Sequence, residues 1–316
     1  MGLDLITKPE ITSEYGRGGR LFRSVNGHAA LGESWQLKTV RPRHTGFCFG
    51  VRDALELTSK ALRPGEPTVA LGQVVHNARA LEELERNGLG RTDQLPAAGG
   101  PQVVVTAHGA TPQLFDEAQA RGLTVIDTTC PLVQRVQRHA VELAEANLSV
   151  VVVGDAAHAE VKAVVGWAAQ LAGSEVVVVA SEEEADALPW REQRGVVSQS
   201  TFPQPRFQQI VGRLRLRSGS LEIRDTTCPV VNQRQREAVG GLLDQADVVL
   251  VVGGRGSANT TALAATCAQR RPTFHIESAA ELDSSWFQPG QLVGITSGTS
   301  TPGWVVDEVE AACRDL

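Results

Sequence analysis

The sequence predicts an α/β protein of three pseudo-symmetric domains, each a mostly parallel sheet covered by helices. Two observations predict it. Apolar runs of strand length alternate with helical patterns along most of the chain, the mark of parallel sheets. One segment also recurs: Asp127-Thr-Thr-Cys-Pro-Leu-Val-Gln-Arg-Val-Gln-Arg138 returns as Asp225-Thr-Thr-Cys-Pro-Val-Val-Asn-Gln-Arg-Gln-Arg236. Repeats so widely spaced indicate duplicated domains, because solenoid periods run about 20–50 residues.

In chain order, residues 1–36 are a polar N-terminal extension with no assigned function. Domain 1 is expected over 37–128, with a strand at 37–40, a tight turn at Thr45-Gly-Phe-Cys-Phe-Gly50 and a helix at 51–62. Strands at 69–71 and 103–106 follow. Domain 2, over 129–225, carries strand patterns at 148–153, 176–180 and 196–198; domain 3, over 226–316, carries them at 248–252 and 293–296. Short apolar segments at 123–126 and 221–223 lead into the two copies of the repeat, and helical patterns leave them. Cys48, Cys130 and Cys228 therefore each stand where a strand turns into a helix, one per unit, placed to converge on a pseudo-threefold axis. Ligands gather at such carboxyl ends of parallel strands.

Composition narrows the function. A net charge of -6 argues against broad nucleic-acid binding, which needs a basic surface. No apolar stretch approaches the roughly 20 residues that span a bilayer, and the first residues lack the apolar core of a secretion signal. A cytoplasmic protein without membrane or nucleic-acid partners is expected. Five cysteines in 316 residues, with no C-x-x-C pair, make neither a disulfide scaffold nor a local zinc motif. Three thiolates from distant turns suit an iron–sulfur cluster, and supplying three to a four-iron cluster leaves one iron open to a substrate oxygen.

Three histidines lie just past predicted strands: His76 in Gly72-Gln-Val-Val-His-Asn77, His108 in Thr106-Ala-His-Gly109 and His158 in Gly154-Asp-Ala-Ala-His-Ala-Glu160. Imidazoles there donate hydrogen bonds to a diphosphate. The turns at 252–260 and 296–302 follow strands and open helices, with Ser257, Asn259 and Ser300 as added donors; neither matches a P-loop. Glu160, two residues after His158, is the candidate proton donor, and the Ser200 hydroxyl the candidate relay.

In order from about Leu37, the chain resembles the IspH/LytB reductases. The resemblance is carried by Gly46-Phe-Cys-Phe-Gly-Val51, Val75-His-Asn77, Ala107-His-Gly109, Asp127-Thr-Thr-Cys-Pro-Leu-Val133, His158-Ala-Glu160, Gln199-Ser-Thr201, Arg234-Gln235, Val252-Gly-Gly254 and Ser300-Thr-Pro302. It implies three α/β domains around a central [4Fe-4S] cluster held by Cys48, Cys130 and Cys228. It implies substrate binding by His76, His108 and His158, diphosphate contacts from Ser257, Asn259 and Ser300, and protonation by Glu160 with Ser200. The implied reaction is reductive dehydroxylation of hydroxymethylbutenyl diphosphate to isopentenyl and dimethylallyl diphosphate, with electrons from a ferredoxin or flavodoxin.

The chain departs from the family pattern at several points. Ser200 replaces a threonine, Ala258 a serine, and Ala159 the proline of His-Pro-Glu; Pro229-Val-Val231 and Gln137 are also unusual. A divergent paralogue acting on another hydroxylated substrate is the alternative these departures motivate. A non-catalytic cluster-bearing sensor has no use for Glu160 beside three histidines, and a zinc module no local ligand pair.

Overall fold

Valine-rich runs, too short for helices and closed by glycine or helix caps, form the central strands of three sheets. The computed structural model describes residues 37–171 and 173–316, so the extension expected over 1–36 lies outside the described residues. The strands are β1 (Lys38–Val40), β2 (Thr68–Leu71), β3 (Leu89–Thr92), β4 (Gln102–Val105), β5 (Val125–Asp127), β6 (Ser149–Val153), β7 (Val176–Val179), β8 (Arg191–Ser198), β9 (Ser218–Ile223), β10 (Val248–Val252), β11 (Thr273–Ile276) and β12 (Leu292–Ser297). They form three four-stranded sheets, β3-β2-β4-β5, β7-β6-β8-β9 and β11-β10-β12-β1, and every pairing is parallel.

Both faces of each sheet are covered, which explains the unbroken apolar runs. Val150 and Val152 pack with the helices Pro131–Glu145 and Ala159–Ala168, whereas Val151 and Val153 face the helix Gln204–Leu216. Val248, Leu250 and Val252 likewise meet the helix Gly303–Arg314, and Val249 and Val251 meet Ala258–Ala268 on the other side. Each fully buried valine contributes about 1.5–3 kcal/mol of transfer free energy.

One strand joins a different sheet from the one its position suggests. The sequence places 37–40 in the first unit, yet β1 pairs with β12, Lys38 opposite Leu292 and Val40 opposite Gly294. Residues after 226 supply only three strands to that sheet and leave β12 an open edge, which β1 fills. Leu37 buries itself beside Val248 and Val293, and Arg41 reaches Asp307 at 2.6 Å. Sequence patterning also missed β3 and β11. Both are sheet edges, and Leu89-Gly-Arg-Thr92 and Thr273-Phe-His-Ile276 carry too few apolar residues to be read as buried strands. No helix among the described residues is long and apolar enough to cross a membrane.

Candidate active site

The same site positions recur in all three sheets. β4, β8 and β12 end at Val105, Ser198 and Ser297, and the second residues beyond them are Ala107, Ser200 and Thr299. The carbonyls of these three accept the N–H groups of Cys130 at 3.1 Å, Cys228 at 2.7 Å and Cys48 at 2.9 Å. Each cysteine carbonyl in turn takes the first helical N–H bond, from Gln134, Asn232 and Arg52 respectively. All three cysteines thus sit at helix N-termini, where free N–H groups favour negative charge.

The duplicated Asp-Thr-Thr segment fixes two of these turns in the same way. Asp127 accepts from the N–H and hydroxyl of Thr129, and Asp225 accepts from those of Thr227. Thr128 and Thr226 tie back to the carbonyls of Val105 and Ser198. The Cys48 turn is built differently: Gly46 adopts φ 86°, and its N–H donates to the Ser297 hydroxyl.

A second recurrence follows β2, β6 and β10. These end at Leu71, Val153 and Val252, and the fifth residues beyond are His76, His158 and Ser257. His158 and Ser257 cap their helices, accepting from the N–H groups of Glu160 at 3.2 Å and Thr260 at 3.3 Å. Glu160 and Asn259 then occupy matching positions two residues on. One cavity is lined by every candidate site residue, and by Ala258 as well.

Around it the imidazoles of His76, His108 and His158 cluster, with ring centroids 4.5, 5.3 and 5.8 Å apart and ligand nitrogens within 4.8 Å of one another. Burial lowers the pKa of all three, that of His108 to about 3, so they are neutral at pH 7. Because His158 Nδ1 accepts from Glu160, its proton resides on Nε2, facing away from that bond. His76 Nε2 is buried without a partner. The His158 Nε2–H is thus left to donate to a ligand oxygen, the chemistry of a phosphate ester.

Glu160 is only 1% exposed. Its carboxylate accepts from Ser200 N at 2.6 Å and Ser200 Oγ at 2.9 Å. Burial outweighs both bonds and raises its pKa to about 7. Ser200 therefore links the acid to Cys228 through a single residue. On the remaining wall, Asn259 Nδ2 donates to Thr299 Oγ1 at 3.2 Å, and Ser300 Oγ to the His76 carbonyl at 3.3 Å.

The residues present fit a thiolate-bound metal group. Burial pushes the Cys130 thiol up, N–H groups of Leu132 and Val133 oppose this, and Cys48 and Cys228 push it further. Cys228 is raised by burial and opposed by Val231 and Val230 in the same manner. Three thiols facing one cavity, Cys228 buried and Cys48 and Cys130 half-buried, none in a disulfide, make a soft donor set. Gly50 keeps room for it, since a Cβ there would lie 2.5 Å from the Cys130 sulfur.

Sequence reasoning found the groups that line the cavity but overlooked some that hold them. Thr299 and Gly50 lay within recognised motifs, yet nothing in the linear pattern ties Thr299 to Cys48. The other described histidines lie elsewhere: His44 and His139 pair with Glu237 and Glu142, and His275 with the Gly253 carbonyl. His28 lies outside the described residues.

Comparison with known proteins gives a consistent result. The chain is 38% identical over 274 residues to the 4-hydroxy-3-methylbut-2-enyl diphosphate reductase of Trichlorobacter lovleyi, covering 86% of this chain and 96% of that one. It is also 38% identical to the protein of that name from Geobacter sulfurreducens, over 86% and 95%. A solved (E)-4-hydroxy-3-methyl-but-2-enyl diphosphate reductase, described as the terminal enzyme of the non-mevalonate pathway, superposes with a TM-score of 0.65 at 30% identity, covering 89% of this chain and all of that one. The corresponding reductase structure from Plasmodium falciparum, at 24% identity and 87% coverage of each chain, shares the fold with a TM-score of 0.81. The LytB protein family model matches residues 40–314, so the chain belongs to the LytB family.

Proposed function

We propose that this protein reduces 4-hydroxy-3-methylbut-2-enyl diphosphate to isopentenyl and dimethylallyl diphosphate. The observation that carries this is the shared cavity: three helix-terminal cysteines, three neutral histidines and a protonatable glutamate face one space, beside a capped helix N-terminus. Cys48, Cys130 and Cys228 would hold a [4Fe-4S] cluster. When bound, that group supplies electrons and an open Lewis-acidic iron for the leaving hydroxyl.

The chain's own residues do the rest. The His158 Nε2–H and the imidazoles of His76 and His108 orient the diphosphate ester. Ser257, Asn259 and Ser300 close around its phosphates at the N-terminus of the helix Ala258–Ala268, where unpaired N–H groups favour anions. Glu160, buried and raised to about 7, holds a proton near the reacting carbon, and the Ser200 hydroxyl fixes its orientation. Two electrons and two protons replace the hydroxyl by hydrogen and release water. A ferredoxin- or flavodoxin-type protein in the cytoplasm is the proposed electron source.

The three histidines read alternatively as a zinc site, but His158 offers Nε2 as a donor rather than a lone pair, which favours an anion. Anaerobic assay with the diphosphate and a chemical reductant tests the proposal. Formation of both isomers with one water per turnover is expected; an iron-loaded protein inert toward this substrate would sink it.

Ala258 provides a finer test of the substrate. It lines the cavity as the first residue of its helix, between Ser257 and Asn259. A hydroxyl there would add a hydrogen bond to a charged phosphate, worth about 1.5–3 kcal/mol. Ala258→Ser should therefore lower KM for this diphosphate by roughly 10- to 150-fold, with kcat little changed. A raised KM would mean that the pocket is shaped for something else.

A further inference from the structure

A buried arginine without a carboxylate partner needs an anion elsewhere, because an uncompensated charge is costly in a low-dielectric interior. Arg234 is such a residue. It is 6% exposed, and among the described residues it forms no ion pair with a carboxylate. Its Nη1 donates to the carbonyl of Gly46 at 2.6 Å and that of Gly298 at 3.3 Å, while Nε is buried with no partner at all. Neutral carbonyls leave the full positive charge in place.

Its surroundings identify the missing anion. Arg234 lies on the helix Pro229–Glu237, which Cys228 opens. Gly46 precedes Cys48 by one intervening residue, and Gly298 precedes Thr299, whose carbonyl holds the Cys48 N–H. Burial lowers the pKa of Arg234, and the groups that oppose this are Cys48, Glu237 and Cys228. Glu237 holds His44 at 2.8 Å and Gln233 at 3.0 Å through Oε1, its buried Oε2 has no hydrogen-bond partner, and it forms no ion pair with Arg234. The guanidinium stays protonated in any protein environment, and Cys48 is foremost among the groups that answer it, ahead of Glu237 and Cys228.

We propose that Arg234 is the buried countercharge of the cysteine centre, a positioning residue that clamps the Cys48 loop to the Cys228 helix and raises the reduction potential of the group the three thiolates bind. The inference rests on the cluster reading above. A thiolate-bound cluster gains negative charge on reduction, and a fixed cation stabilises the reduced form more than the oxidised one. The same two carbonyl bonds join the thiolate loop to the loop carrying Thr299 and Ser300. Arg234 thereby ties the redox centre to the proposed phosphate wall.

The test is the midpoint potential of anaerobically purified, full-length protein, with iron content and melting temperature measured beside it. Arg234→Gln should make reduction at a fixed donor potential at least tenfold less favourable, which is about 59 mV more negative for a one-electron couple. Arg234→Lys, keeping the charge, should recover most of that shift. A parental potential in Arg234→Gln overturns the proposal, as does a Lys variant no better than Gln. Should Arg234→Gln hold no iron, retention of iron at near-parental potential in Arg234→Lys supports the countercharge, and its loss there overturns it. Parent protein without thiolate-bound iron would sink the cluster reading itself, and this inference with it.

Discussion

Serine at Cys48, Cys130 or Cys228 should strip the iron from anaerobically purified protein, whereas serine at Cys267 or Cys313 should leave it in place. The three site cysteines share one geometry: a backbone N–H held by the turn of a third strand, a carbonyl starting a helix, and a sulfur facing the common cavity. Serine keeps the backbone bonds and removes only the soft ligand, so the loss reads the metal bond rather than the fold. Cys267 and Cys313 are fully buried among Leu263, Ala264 and Val249, and among Val305, Val306 and Val309, with thiols pushed to about 11 by burial. They are small hydrophobes. Iron analysis should give roughly four atoms per chain in the parent and in both core variants, and a small fraction of that in the other three. Equal loss from all five would dissolve the distinction.

Glu160→Gln should retain iron and bind the diphosphate, while turnover falls by about 10²–10⁴-fold, the range for a positioned acid. Glutamine keeps the acceptor for Ser200 N–H and has no proton to give. In the parent, the acid form must be present, so the alkaline limb of the rate should fall as pH rises through about 7, where burial has moved this carboxyl. The variant should lack that limb. Stability carries the same signature. A carboxyl whose folded pKa lies above its ordinary 4.5 takes up protons on folding, so the native state loses stability as pH climbs from 4.5 to about 7. Melting temperatures of Glu160→Gln and parent should therefore diverge in the variant's favour across that window. A variant turning over at the parental rate would make Glu160 a structural residue.

Much of this was legible in the linear sequence because the chemistry sits at repeated strand ends. Valine runs marked β6 and β10, the Asp-Thr-Thr-Cys repeat marked two equivalent turns, and every candidate residue faces the one cavity. The rest depended on long-range pairing that patterning cannot supply. The three residues of β1 look the same whichever sheet they enter, and only the open edge of β12 decides. Thr299 matters through its backbone carbonyl, which carries no residue-specific signal, and the linear pattern does not show which carbonyls Arg234 reaches. The depressed pKa of the three histidines and the raised one of Glu160 arise from burial that exists only after the three units meet.

The sheet β11-β10-β12-β1 draws its strands from both ends of the chain. On a ribosome, the middle unit can close its sheet while the C-terminal third is still being made. β1 is made before the other described strands yet stays unpaired until β12 follows. Such sequence-distant pairing is slow, because loop closure must precede the contacts that reward it. Cys48 receives its N–H acceptor, Thr299, only then. The Cys48 turn therefore takes its final geometry only after β12 has joined the sheet, so the cavity's three-cysteine wall is the last part of the site to be fixed.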